Sequence, residues 1–185
     1  MKLAITLVLI LGLIVSSSSA FAENNAPKNS GDPIYMNIQG ITGDVNGGSC
    51  SGIMLDSFSW GLTQTGTQSS GGGGGAGKVS FHDISITKNM DKSSPLLLKL
   101  AQDGKSSPVH IDFCKRAGGK SVIYASYDLD NALISSYSVS SGGDVPTETF
   151  TLNFSKVNFS FSDYARDGSL LGTLSVLIGL LLPAV

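Results

Sequence analysis

A period of two runs through most of this chain. Between residues 33 and 161 the apolar residues fall mainly on alternate positions, and only one segment carries a helical spacing. Successive side chains of a strand point to opposite faces, so the pattern predicts strands with one buried side in a single domain. Ile34, Met36 and Ile38 mark the first strand, and residues 53–62 the second. Val79, Phe81, Ile84 and Ile86 mark the third, and Val109, Ile111 and Phe113 the fourth. After a turn at Ala117-Gly118-Gly119 come Ile123, Ala125, Tyr127 and Leu129, then residues 132–139, then residues 148–161. The apolar phase slips inside three of these runs: between Leu55 and Phe58, between Phe81 and Ile84, and between Phe154 and Val157. A slip implies a bulge or bend, and three of them predict a strongly curved sheet that closes as a small β-barrel. Phe58, Trp60, Phe150, Leu152 and Phe154 are the expected anchors of its core.

The helical segment begins at Ser94-Pro95. Ser94 suits an N-cap, Pro95 suits the first helical position, and Gly104 suits the end. Leu96, Leu97, Leu98, Leu100 and Ala101 give it a broad apolar face. One short helix cannot build an α/β crossover fold, but it can flank a small barrel.

Ahead of the third strand, residues 72–78 fit the G-x-x-x-x-G-K pattern of a phosphate loop. The context is wrong for that chemistry. Val79 stands where a magnesium-binding hydroxyl is needed, and a strand follows where a helix N-terminus should face the phosphate. Ser70, Gly71, Gly72, Gly73, Gly74, Gly75, Ala76 and Gly77 are therefore expected to form a long loop. Five consecutive glycines leave its backbone wide freedom.

Both ends of the chain differ from this body. Met1-Lys2, an apolar run over residues 3–15 and the Ala20-Phe21-Ala22 site have the form of a secretory signal peptide over residues 1–22. Residues 23–32 form a polar leader. At the other end, residues 163–169 are a polar linker and residues 170–185 a hydrophobic tail. Read as a helix, residues 170–182 span roughly 20 Å, short of the roughly 30 Å of a bilayer core. Membrane contact, contact with another subunit, and a tail without a role all remain open for it.

Little catalytic chemistry is visible. His82 and His110 lie on separate strands without metal-ligand spacing, and no G-x-S-x-G motif is present. His82 beside Asp83 would be half a triad, but strand neighbours face opposite ways. No enzyme, metal or cofactor is expected. The formal net charge of −2 is too small and mixed for nucleic-acid binding. Cys50 and Cys114 would meet an oxidising compartment after export, and a bond between them would contribute about 3–4 kcal/mol. Cys50 falls in a loop and Cys114 on a strand, so two unpaired thiols are the expectation.

Several pieces together resemble the haemolysin-coregulated protein (Hcp) family, whose members form the tube of the bacterial type VI secretion system. They are Phe58-Ser59-Trp60-Gly61, the glycine-rich loop and strand leading to Asp91-Lys92-Ser93-Ser94-Pro95, and Ala117-Gly118-Gly119. Ile134-Ser135-Ser136, Ser141-Gly142-Gly143 and Thr147-Glu148-Thr149-Phe150-Thr151-Leu152-Asn153-Phe154 complete the set. The likeness covers most of residues 33–162. It implies a mainly β fold, a small closed β-barrel of two curved antiparallel sheets with one short flanking α-helix. It also implies homohexameric rings that stack into a tube, with other secretion components and effector proteins as partners. The loop of residues 70–77 would then contact a neighbouring subunit or ring. The amino-terminal segment points instead to an exported, secreted or periplasmic, ring protein outside any tube.

Overall fold

The computed structural model describes residues 32–64, 66 and 79–179. Its strands are β1 (Ile34–Ile38), β2 (Ile53–Leu55), β3 (Ser57–Ser59), β4 (Leu62–Gln64), β5 (Val79–Phe81) and β6 (Ile84–Asn89). After helix α1 (Ser94–Asp103) come β7 (Ser107–Ala117), β8 (Lys120–Ser140), β9 (Thr147–Asn153), β10 (Lys156–Tyr164) and β11 (Leu170–Gly179). The amino-terminal residues 1–31, the loop of residues 70–77 and residues 180–185 lie outside the described residues.

The three phase slips become breaks between strands. Asp56 separates β2 from β3, His82-Asp83 separates β5 from β6, and Phe154-Ser155 separates β9 from β10. The longest strand, β8, bends opposite the last of these. Asn131 takes a left-handed φ of 51° there, and its side chain donates to Ser155 Oγ at 3.1 Å. Asn tolerates this backbone region better than most residues. The bend splits the pairing of β8: residues 125–130 pair with β10, and residues 133–140 pair with β9. Two sheets thus diverge from one strand.

The expected closed barrel does not form. The antiparallel ladder runs as an open path β2-β1-β7-β8-β9-β6-β3, with β10 and β11 branching from β8. The path stops at β2 and β3 because these are consecutive three-residue strands. A strand cannot pair with its own continuation, so only the covalent chain through Asp56 joins the two ends. Asp56 N–H donates to Thr87 C=O of β6 at 2.8 Å, which continues the β3–β6 pairing. The branch leaves β11 as a further free edge.

Between the sheets lies the core, with Met36, Ile53, Ile84, Ile86, Ile111 and Phe150 all at 0% exposure. The helix contributes Leu97, fully buried, while Leu96 and Leu98 remain exposed. Ser93 rather than Ser94 is its N-cap, and Pro95 is the second helical residue. Gly104 ends it in the left-handed conformation, with its N–H on Ala101 C=O.

Residues 170–179 are not helical. They form β11, antiparallel to β10 in the register Phe161 to Leu174 and Val157 to Ile178. Leu, Val and Ser at alternating sites suit an extended edge as well as a helix, and the free side of β10 supplies hydrogen-bond partners that an isolated helix lacks. Among the described residues no helix is long and apolar enough to cross a membrane.

Candidate assembly surface and its anchors

The segment that flanks residues 70–77 is a separate hairpin of β4 and β5, with Leu62 opposite Phe81 and Gln64 opposite Val79. Leu62 and Val79 are exposed, so this hairpin projects from the body. Its root is fixed by Trp60. The indole N–H donates to His82 C=O at 3.0 Å, and the ring stacks on Phe81 at 6.4 Å. Edge-on contacts to Tyr127 and Phe154, both at 5.9 Å, carry Trp60 onto the sheets. Phe58 packs beside it against Phe113 at 5.2 Å and Tyr127 at 5.0 Å. Of the anchors named from sequence, Phe150, Leu152 and Phe154 are buried. Phe58 and Trp60 are half-buried and packed against the core.

A second anchor was not legible as such. Lys88 and Glu148 are both 0% exposed and meet at 2.7 Å across the β6–β9 pair. Lys88 also donates to Asp91 at 2.9 Å and to Ser94 Oγ at 3.2 Å. Tyr137 on β8 donates to the other oxygen of Glu148 at 2.6 Å. Burial, then the Glu148 carboxylate, raise the Tyr137 hydroxyl well above its usual range. Asp91 accepts from Ser93 N–H at 2.8 Å, and Ser94 Oγ accepts from Asp91 N–H at 2.9 Å. The cluster gives the Lys88 ammonium three hydrogen-bond acceptors and ties the start of α1 to three strands, as a buried ion pair requires. A signal for it existed. Lys88 continues the buried phase of Ile84 and Ile86, and Glu148 continues that of Phe150 and Leu152.

The histidines are placed apart. His82 is exposed, with Thr63 Oγ1 3.5 Å from its Nε2. Its neighbour Asp83 accepts from Asn153 at 2.8 Å and from Ser135, not from His82. His110 sits between two carboxylates, with Nε2 2.7 Å from Asp112 and Nδ1 against Asp128. Asp112 Oδ1 is buried without a well-aligned hydrogen bond, so the charge of the ring balances it. Contact with Asp112, opposed by burial and reinforced by Asp128, holds the His110 pKa up to about 9.

Cys50 and Cys114 are not free thiols. They form a disulfide with a Cα–Cα distance of 6.1 Å. The spacing falls within the range for such a bond, because the loop after β1 meets β7 at Cys114.

On β11, Leu170, Leu171, Leu174 and Leu177 are all more than half exposed, and Leu174 reaches 78%. Phe161 on β10 adds 43% exposure directly opposite Leu174. Among the described residues this apolar edge, the β4–β5 hairpin and α1 with Leu96 and Leu98 are apolar surfaces available for contact with other molecules.

The family model described as "Type VI secretion system effector, Hcp" matches residues 35–161, from β1 into β10. The chain belongs to the Hcp family. Protein hcp1 of Pseudomonas aeruginosa is 39% identical over 95 residues, which is 50% of this chain and 59% of that protein. The match thus spans less than two thirds of that relative. A solved type six secretion system protein shares the fold with a TM-score of 0.73 at 24% identity, covering 82% of this chain and 97% of that one. Hcp1 from Salmonella typhimurium superposes with a TM-score of 0.62 at 25% identity, covering 80% and 93%. The Hcp likeness read from sequence includes Lys88, Asp91, Ser94 and Glu148, which the fold gathers into one buried cluster.

Proposed function

We propose that this Hcp chain is a structural subunit of a type VI secretion system that self-assembles into hexameric rings and stacked tubes. The observation that carries this is the family match across residues 35–161, nearly the whole described domain. Its activity is assembly and the carriage of effectors rather than catalysis, and its partners are other copies of itself, other secretion components and effector proteins. The residue 70–77 loop, which follows β4 and precedes β5 in the chain, supplies contacts between subunits or rings.

A second reading is an Hcp-like ring that is exported and acts outside the cell without stacking. Two features favour it: the signal-like residues 1–22, and the Cys50–Cys114 bond, which belongs to oxidising compartments. The apolar residues 170–182 would then provide any membrane contact, through the exposed face of β11. Electron microscopy of the purified chain from Glu23 onward separates the readings. Stacked rings support the tube, single rings the exported form, and monomers at high concentration contradict both.

A further inference from the structure

Residues 46–51 form a small tip on the connection between β1 and β2. Backbone closes its neck. Gly52 N–H donates to Val45 C=O at 2.9 Å, and Gly43 lies so close to Gly52 that a Cβ there would stand 2.0 Å from the Gly52 carbonyl oxygen. Above the neck the attachments are few. Asn46, Gly47, Gly48 and Ser49 are exposed, and Ser51 Oγ bonds within the tip to Gly48 C=O. Asn37 reaches the tip by donating to Ser51 C=O at 3.2 Å. The Cys50–Cys114 bond is the covalent tie between tip and sheet.

The strands beneath carry backbone pairing of their own. Cys114 N–H donates to Pro33 C=O at 2.9 Å, and β1 keeps its registers with both β2 and β7. The two sulfurs also differ in access: Cys114 is 1% exposed, whereas Cys50 is half-buried at the surface.

We propose that the Cys50–Cys114 disulfide is a reducible strap, opened by thiol exchange at Cys50, that docks the 46–51 tip on β7 or frees it while the sheet persists. A thiolate of a dithiol reductant attacks Cys50 Sγ and forms a mixed disulfide, and Cys114 leaves as a thiolate that takes a proton from water. The second thiol of the reductant then displaces Cys50. The protein gains two electrons and two protons, and the reductant becomes the disulfide. The tip is docked in an oxidising compartment and free in a reducing one.

Limited proteolysis of the full chain with an unspecific protease, before and after dithiothreitol, tests the strap. Cleavage within residues 46–51 should rise about ten-fold on reduction, with β1 and β7 uncut. A tip that stays protected after full reduction, or strands that lose protection with it, overturns the proposal. Cys50→Ser combined with Cys114→Ser should reproduce the reduced pattern, and failure of that variant to fold would make the bond a folding staple instead of a strap. Glutathione trapped as a mixed disulfide should map to Cys50, and mapping to Cys114 would overturn the site of attack.

Discussion

Lys88 and Glu148 are the residues on which the interior most depends. Both are wholly buried, so neither charge has water to turn to when its partner is removed. Lys88→Met should cost about 3–5 kcal/mol in urea unfolding, and adding Glu148→Leu should recover a large part of that loss. A double variant no better than the single one would show that Tyr137 and Asp91 hold Glu148 and α1 in place without the lysine. His110 makes the pH-dependent contribution. Its pKa rises from an ordinary 6.5 to about 9 on folding, first through Asp112. The protonated ring therefore stabilises the fold fully below pH 6.5, and this stabilisation is lost as pH rises through 9. Urea midpoints of the wild type and of His110→Gln should keep a constant gap below pH 6.5 and converge toward pH 9. Parallel pH profiles would refute the assignment.

Among the elements, β11 and the β4–β5 hairpin differ in how they are held. Every described position of β11 except Ile178 is exposed, and Ile178 alone packs against the core. Leu174→Lys should thus change the stability of a dilute subunit by no more than about 0.5 kcal/mol. Ile178→Ala should cost about 1 kcal/mol or more, since part of its side chain leaves water on folding. Equal effects in thermal unfolding would mean that β11 is not docked in this register. Trp60 roots the hairpin through three aromatic contacts and one hydrogen bond. Its truncation to Ala should cost about 3 kcal/mol, the low end for a core tryptophan, because the ring is only half-buried. Its emission should lie between those of buried and free indole.

For the whole molecule the important fact is that the ladder is open. Two of its ends are short and joined through Asp56, but among the described residues β11 presents ten residues of free edge. Long exposed edges with apolar side chains invite a partner strand, and assembly is the ordinary way to cover one. The residue 70–77 loop belongs to this scale as well, since a segment of glycines builds no core of its own. Shortening residues 71–75 to a single glycine should leave the thermal midpoint of the dilute subunit unchanged. The same change should weaken ring or tube formation in sedimentation, because docking supplies the surface that repays the lost freedom of each glycine. Normal assembly by the shortened chain would make the loop a passive linker.

Alternation in the sequence was enough to determine most of the strands of the body and the places where they break, and Ser94-Pro95 with Gly104 marked the helix. Period two is a local property, and the slips at Leu55, Phe81 and Phe154 are local too. The family was also legible, because its pieces keep their order along the chain. The closing of the barrel was not, since closure depends on which edges meet. Here the two ends of the ladder are consecutive strands that cannot pair with each other. The apolar run of residues 170–182 reads as a helix, and the free side of β10 made residues 170–179 a strand instead. Cys50 and Cys114 are 64 residues apart, and only the fold, which sets the β1–β2 loop against β7 at Cys114, brings them within bonding distance. Lys88 and Glu148, 60 residues apart, carry no pairing signal in the sequence beyond their buried phase. The register of β6 on β9 sets them opposite each other, and the start of α1 closes over them.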